Sequence, residues 1–304
     1  MLETNLGEIR ALAENSDPII ADPPNIRLLT APLNPGSDPN FFDLTPNDDI
    51  VQLASGILRN TPGGLRALAG NDFVRGSGAA ELMNGNSGID TLIGGCGSDT
   101  IRGGQDFDIL YGECGNDILS GDAGNDVAYG GTGNDLIRGG KGDDALVGDS
   151  GNDALIGDAG VDRLWGKEGA DLFLIKREAG ATSREIGSAG PPPTGTFPTN
   201  TEEVPADFIL DYNPSQGDVI GLAGGLTRND IVLTERFMTI GDARSYDSSG
   251  PVPPGIAQTT EFRFLNTKAT VIREASTGNI LGLVKDVSPS QIQFTVVVDA
   301  IALG

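Results

Sequence analysis

Three observations predict an all-β chain wound from a short repeat. An acid recurs at every ninth residue, nearly every acid has a glycine five positions before it, and an apolar residue stands two positions after it. The acids are Asp72, Glu81, Asp90, Asp99, Asp108, Asp117, Asp126, Asp135, Asp144, Asp153, Asp162 and Asp171, twelve without a break. The unit GGTGNDLIR (130–138) shows the pattern in full.

Each unit divides into a turn and a strand. Six residues rich in glycine can take backbone conformations closed to other residues and leave their carbonyl oxygens uncovered. The remaining three make a minimal strand, in which the middle side chain points to the opposite face from its neighbours. The middle positions read Val74, Met83, Leu92, Ile101, Leu110, Leu119, Ala128, Ile137, Leu146, Leu155, Leu164 and Phe173, with no polar residue among them. A Gly/Asp/Asn-rich acidic segment also has the composition of disorder, but disorder does not keep an apolar residue in every ninth place.

On this motif residues 67–175 resemble the RTX family, whose signature is Gly-Gly-x-Gly-x-Asp-x-(large apolar)-x. The resemblance implies a right-handed parallel β-roll over 67–176, in which two units complete one coil and loops eighteen residues apart stack. It also implies Ca²⁺ ions between stacked loops, held by carboxylates and backbone carbonyls, an oxygen set that suits this cation. The stacks are then Asp72, Asp90, Asp108, Asp126, Asp144 and Asp162 on one rim, and Glu81, Asp99, Asp117, Asp135, Asp153 and Asp171 on the other. Six loops leave five gaps per rim, so the two rims allow up to about ten ions. Glu81 is the weakest ligand of the set, being one methylene longer than Asp and lying in GSGAAELMN, where Ala79 replaces a turn glycine. Asp106 replaces the same glycine but tolerates a left-handed backbone. Without calcium the stacked carboxylates repel, so metal binding and folding are expected to be one event.

The cysteines bear on the stacking. Cys96 and Cys114 hold the third position of their units and differ by eighteen residues, one coil of such a roll. Adjacent strands lie about 4.8 Å apart, within the disulfide range of about 4.4–6.8 Å between Cα atoms. A Cys96–Cys114 disulfide is expected, and an oxidised pair fits an extracellular address.

Outside the roll the texture changes. Residues 1–43 read as an extended proline-rich arm with one short helix candidate near Glu3–Glu14. Residues 44–66 read as an irregular capping coil, because TPNDDIVQ (45–52) echoes the repeat with Asp49 in the acid place and Val51 in the inward place. Residues 177–203 are a Pro/Gly-rich linker or loop. Residues 204–304 alternate apolar and polar positions as short antiparallel strands do, with a hairpin expected about Ser276–Asn279. A small C-terminal antiparallel β-domain over the last coil is the reading.

Net charge of −23, from 20 Lys+Arg against 43 Asp+Glu, argues against nucleic acid as a partner and for divalent cations. No apolar run reaches the 18–20 residues or so that span a bilayer. The start MLETNLGEIR lacks the features of a cleaved secretory signal. The resemblance implies a secreted or cell-surface protein exported by a type I pathway that reads an address in the last part of the chain, and QIQFTVVVDAIALG (291–304), apolar and light in charge, reads equally as that address or as a last strand.

Catalysis finds no support. There is no histidine, which removes Ser-His-Asp and HExxH chemistry. The expected role is structural: a calcium-folded protein that self-associates into a coat or fibre through the outward column of Tyr111, Tyr129 and Trp165. The alternative is a calcium-dependent adhesin acting as a monomer. Ice binding is disfavoured because the outward strand columns offer only Thr91 and Thr100 in place of flat Thr ranks.

Overall fold

The computed structural model describes residues 25–29, 38–176, 206–240 and 265–297. The helix candidate near Glu3–Glu14, the linker 177–203 and the last seven residues lie outside them.

Short strands dominate because each unit has room for only a few extended residues between turns. They stack into two sheets, one of twelve strands and one of ten. Successive strands of the chain alternate between the sheets, so each sheet pairs every second strand. Pairing is parallel and advances by eighteen residues: Thr91 pairs with Ile109, Ile109 with Val127, Val127 with Ala145 and Ala145 with Arg163. The second sheet keeps the same step, from Thr100 to Ile118 to Leu136 to Ala154. Two nine-residue units therefore make one coil of a parallel β-solenoid.

The inward column closes the space between the sheets. Val74, Met83, Leu92, Ile101, Leu110, Leu119, Ala128, Ile137, Leu146, Leu155, Leu164 and Phe173 are all fully buried, in one cluster that runs on to Leu29 at one end and Val284 at the other. The core is one or two side chains thick, so it cannot by itself offset the ordering of long glycine-rich turns. Coil spacing in those turns is set by glycine. At Gly115 (φ +141) an added Cβ would overlap the carbonyl oxygen of Gly97 in the coil below.

Both ends depart from the period. Before the repeats, Val51 pairs with Val74 and Phe42 with Leu65, a step of 23 residues. The surplus is taken up by the turn of 3-10 helix Ile57–Asn60. After the repeats, Phe208 pairs with Arg163 and Val219 with Leu172, both in parallel. Ile280–Lys285 and Phe294–Val296 then add one more parallel strand to each sheet. The roll thus continues past residue 176. The antiparallel part consists of Ile231–Ile240 paired with Leu265–Glu274, and the latter paired with Ile280–Lys285 across the expected hairpin. Alternation of apolar and polar residues is common to parallel and antiparallel strands, so it could not separate the two arrangements in this region.

Among the described residues no helix is long and apolar enough to cross a membrane.

Candidate metal centres

The acids of the repeat are brought into two rims and tied to one another along each. Asp72 donates its backbone N–H to Asp90 Oδ1 (2.9 Å), Asp90 to Asp108 (2.9 Å), Asp108 to Asp126 (2.8 Å), Asp126 to Asp144 (2.7 Å) and Asp144 to Asp162 (2.8 Å). On the other rim Glu81 donates to Asp99 (2.6 Å), Asp99 to Asp117 (2.7 Å), Asp117 to Asp135 (2.7 Å), Asp135 to Asp153 (2.8 Å) and Asp153 to Asp171 (2.9 Å). Each Asp of these ladders thus uses one oxygen to hold the coil before it, and its backbone N–H to reach the coil after it.

The other oxygen is the informative atom. Oδ2 of Asp72, Asp90, Asp99, Asp108, Asp117, Asp126, Asp135, Asp144, Asp153 and Asp171 is buried with no hydrogen-bond partner. Leaving one such polar atom unsatisfied costs about 1–3 kcal/mol, and more when it is charged. Ten repeats of that cost along two rims do not suit a purely structural arrangement. Glycine keeps the space beside these atoms open: a Cβ on Gly121 would run into Asp126 Oδ2 and come within 2.6 Å of the Gly139 carbonyl oxygen. Carboxylate and carbonyl oxygens therefore line one small cradle between coils.

Electrostatics agree. Burial raises the Asp108 carboxyl to about 9 and those of Asp72 and Asp144 to about 8, with neighbouring rim acids adding to the rise and the backbone N–H opposing it. Burial also lifts Asp90, Asp99, Asp126 and Asp153 to about 7, and Asp135 and Asp171 to about 6. Asp117 is raised for the same reason. Ionised rims need a counter-charge close at hand.

Among the described residues no three acidic, cysteine or histidine side chains gather at one point. A cation in a cradle must draw on backbone carbonyls as well as on the Asp side chains. Such an all-oxygen donor set fits a hard cation of the Ca²⁺ type, and the residues fit the ion.

The sequence pattern that builds these cradles is that of a known repeat. The family model for the RTX calcium-binding nonapeptide repeat matches in four copies, at residues 65–92, 93–128, 120–155 and 139–173. The chain carries an RTX calcium-binding repeat array. No curated protein matches the sequence.

Within the RTX array one predicted ligand stands apart. Both carboxylate oxygens of Glu81 accept hydrogen bonds from Ser77, one from its hydroxyl and one from its backbone N–H (3.2 Å). The extra methylene lets the side chain fold back on its own turn. Asp106 takes the left-handed backbone its place requires (φ 73).

Three acids outside the array extend the ladders. Asp49 donates its N–H to Asp72 Oδ1 (2.7 Å), while its own Oδ2 accepts from the Thr45 N–H (2.8 Å). Asp207 accepts from Asp162 (3.3 Å) and Asp218 from Asp171 (3.1 Å). Asp218 Oδ2 is taken by the Asn213 N–H (2.7 Å), so this rim closes on itself at its end as the Asp72 rim does at its start with Asp49. Asp211 accepts from the N–H groups of both Gly166 and Lys167, replacing a further coil with a side chain. Asp207 and Asp218 carry the repeat's signal, an acid with an apolar residue two later, in ADFIL and GDVIG. Asp207 lies 45 residues from Asp162, in phase with the nine-residue period but beyond Gly180, Ala189 and Pro198 in the acid place, and Asp218, 47 residues from Asp171, is out of phase.

Cys96 and Cys114 are disulfide-bonded, with their Cα atoms 4.5 Å apart. The outer faces carry ion pairs from one coil to a later one: Arg102 with Asp122 (3.0 Å), Arg75 with Glu113 (2.9 Å), and Arg138 and Lys176 with Asp158.

Proposed function

We propose that this protein is a secreted, non-enzymatic structural element whose roll assembles only where calcium is plentiful. The partnerless buried Oδ2 atoms carry this reading, because a fold that buries unpaired carboxylates is stable only with cations beside them. The thin core points the same way. Calcium at roughly 10⁻⁴–10⁻³ M outside cells would drive folding there and leave the chain unfolded at cytosolic levels.

The stoichiometry follows from the gaps within the nine-residue array that are bounded by Asp on both sides. Asp72 to Asp162 bounds five and Asp99 to Asp171 bounds four, nine ions in all. The gap at Glu81 is left out because Ser77 occupies both its oxygens.

Self-association into a coat or fibre belongs to the same proposal, on other residues than the aromatic column. Tyr129 stacks on Tyr111 (5.0 Å between centroids) and is only 5% exposed, so much of that column is covered within the chain. Apolar side chains that do face solvent are Leu82 and Ile118 on the second sheet, Leu28 and Ile50 near the first coil, and Val232 and Val296 near the last. These are the candidate contacts between copies.

Calcium titration followed by far-UV circular dichroism and calorimetry tests the reading. Strand signal should appear with calcium, vanish with chelator, and saturate near nine ions. A chain equally folded in chelator would overturn it. Sedimentation of the loaded protein tests assembly. Growth of large species with concentration is expected, whereas a strict monomer that attaches to cells would favour adhesion.

A further inference from the structure

Coils are joined on each rim by two side-chain ladders of opposite sense. In the acid ladder each backbone N–H reaches forward to the next coil. The residue just before the acid runs the other way, its side chain accepting from the coil that follows. Asn71 accepts from the Ile89 N–H (2.9 Å), Asn116 from Asn134 (2.8 Å), Asn125 from Asp143 (2.9 Å), Asn134 from Asn152 (2.8 Å), Asp143 from Val161 (3.0 Å) and Asn152 from Ala170 (2.8 Å). An Asn-Asp dipeptide therefore clasps both neighbouring coils.

Over the four clasp positions from 80 to 107 the backward ladder is interrupted. Ala80, Ile89 and Phe107 occupy the clasp position and their side chains have no acceptor. Ser98 Oγ reaches the Asn116 N–H at only 3.4 Å, a weak contact. The disulfide joins the last interrupted coil of this rim to the coil where the ladder resumes. Cys96 shares its turn with Ser98 and Cys114 shares its turn with Asn116, and the two Cα atoms stand 4.5 Å apart. Cys96 is exposed and lines an open cavity of about 540 Å³ together with Gln52, Ser55, Arg75, Ser77 and Glu113. A small dithiol can reach it.

We propose that the Cys96–Cys114 disulfide is a redox-set clasp that stands in for the weak Ser98 contact and sets the calcium concentration at which residues 76–125 become ordered. The proposal rests on the calcium reading above. The bond forms by thiol–disulfide exchange with a small-molecule disulfide. The two cysteine thiols give up two protons and two electrons, their sulfurs join, and the small disulfide leaves as two thiols; a dithiol reverses the step. Calcium binding and oxidation then favour each other by the same factor.

Closing an eighteen-residue loop shifts the equilibrium between ordered and unfolded coil by on the order of 100-fold. If two ions enter as that coil orders, the calcium midpoint moves by about 10-fold, the square root of that shift. The test is a calcium titration of the whole protein, oxidised and after treatment with dithiothreitol, read by circular dichroism and by hydrogen exchange along the chain. Reduction should raise the midpoint about 10-fold for amides of residues 76–125 and leave residues 126–170 nearly unmoved. The Cys96→Ser/Cys114→Ser variant should behave like the reduced protein, and adding Ser98→Asn to it should restore most of the shift by rebuilding the backward hydrogen bond. Equal midpoints in the two redox states, a shift spread evenly over the roll, or no rescue by Ser98→Asn would each overturn the clasp while leaving calcium-dependent folding standing. A chain that ignores calcium in both redox states would overturn the reading beneath it.

Discussion

Replacing Asp126 by Asn separates the two jobs of the rim carboxylates. Asn keeps Oδ1, which accepts the Asp108 N–H at 2.8 Å, and keeps the backbone N–H that reaches Asp144 at 2.7 Å. It loses only the charge and the partnerless Oδ2. Asp126 borders two gaps, one toward Asp108 and one toward Asp144. An ion at one hundred times its dissociation constant stabilises the folded state by about 2.7 kcal/mol, so losing two costs about 5 kcal/mol in calcium. Without calcium the sign reverses. Burial lifts the Asp126 carboxyl from 3.8 to about 7, and at pH 8 that rise works against the metal-free fold by roughly 4 kcal/mol. The Asn variant is free of that penalty. Glu235→Gln serves as the control, since Glu235 lies off the rims in a half-exposed pair with Lys268 worth about 1 kcal/mol at most. The assay is denaturant unfolding by circular dichroism at saturating calcium and in chelator. Asp126→Asn should lose stability in calcium, bind one or two fewer ions, and show more residual structure in chelator than the parent. An unchanged calcium stoichiometry, or a further loss of structure in chelator, would refute the reasoning.

Other consequences are more local. Leu119→Ala, at a fully buried inward position, should cost about 2–5 kcal/mol in saturating calcium, measured by guanidinium unfolding. Asp211→Ala removes the acceptor of the Gly166 and Lys167 N–H groups, and should speed hydrogen exchange at those two amides with a loss of about 1–3 kcal/mol. Acidity should partly replace calcium. The rim carboxyls are raised by burial in the fold, so their protonated forms favour it; that contribution is complete below the unfolded value of 3.8 and fades as pH rises through 6 to 9. In chelator the chain should therefore be more ordered at pH 5 than at pH 8 by circular dichroism, while the calcium needed at pH 5 should be higher because protons compete for the same oxygens. Equal disorder at both pH values would contradict this.

The centre of the fold was legible because its physics is periodic. An apolar residue at every ninth place can bury only if the chain coils in step with it, and all twelve from Val74 to Phe173 do so. The acid rims follow from the same period. What the period could not show was where it resumes: Asp207 rejoins its rim after 45 residues, in phase but past three places without an acid, and Asp218 rejoins the other after 47, out of phase. The fate of Glu81 was half visible in its extra methylene, but its capture by Ser77 depends on the local turn. The backward Asn ladder is written as Gly-Asn-Asp, but an Asn before the acid is equally an ordinary turn residue, and only the stacked coils show its amide oxygen registering a neighbour. Tyr129, read as an outward position, is 5% exposed with Tyr111 of the preceding coil stacked on it, and alternation along a strand does not tell how deeply an outward ring is buried.

The central claim is that cations sit between stacked acid loops and hold the roll together. A crystal structure grown in millimolar calcium, with the ions located by their anomalous scattering, tests it most directly. The account predicts density between successive loops along both rims, beside Asp126 Oδ2 and the Gly139 carbonyl oxygen among others. A roll of the same winding with both rims free of ions would contradict it.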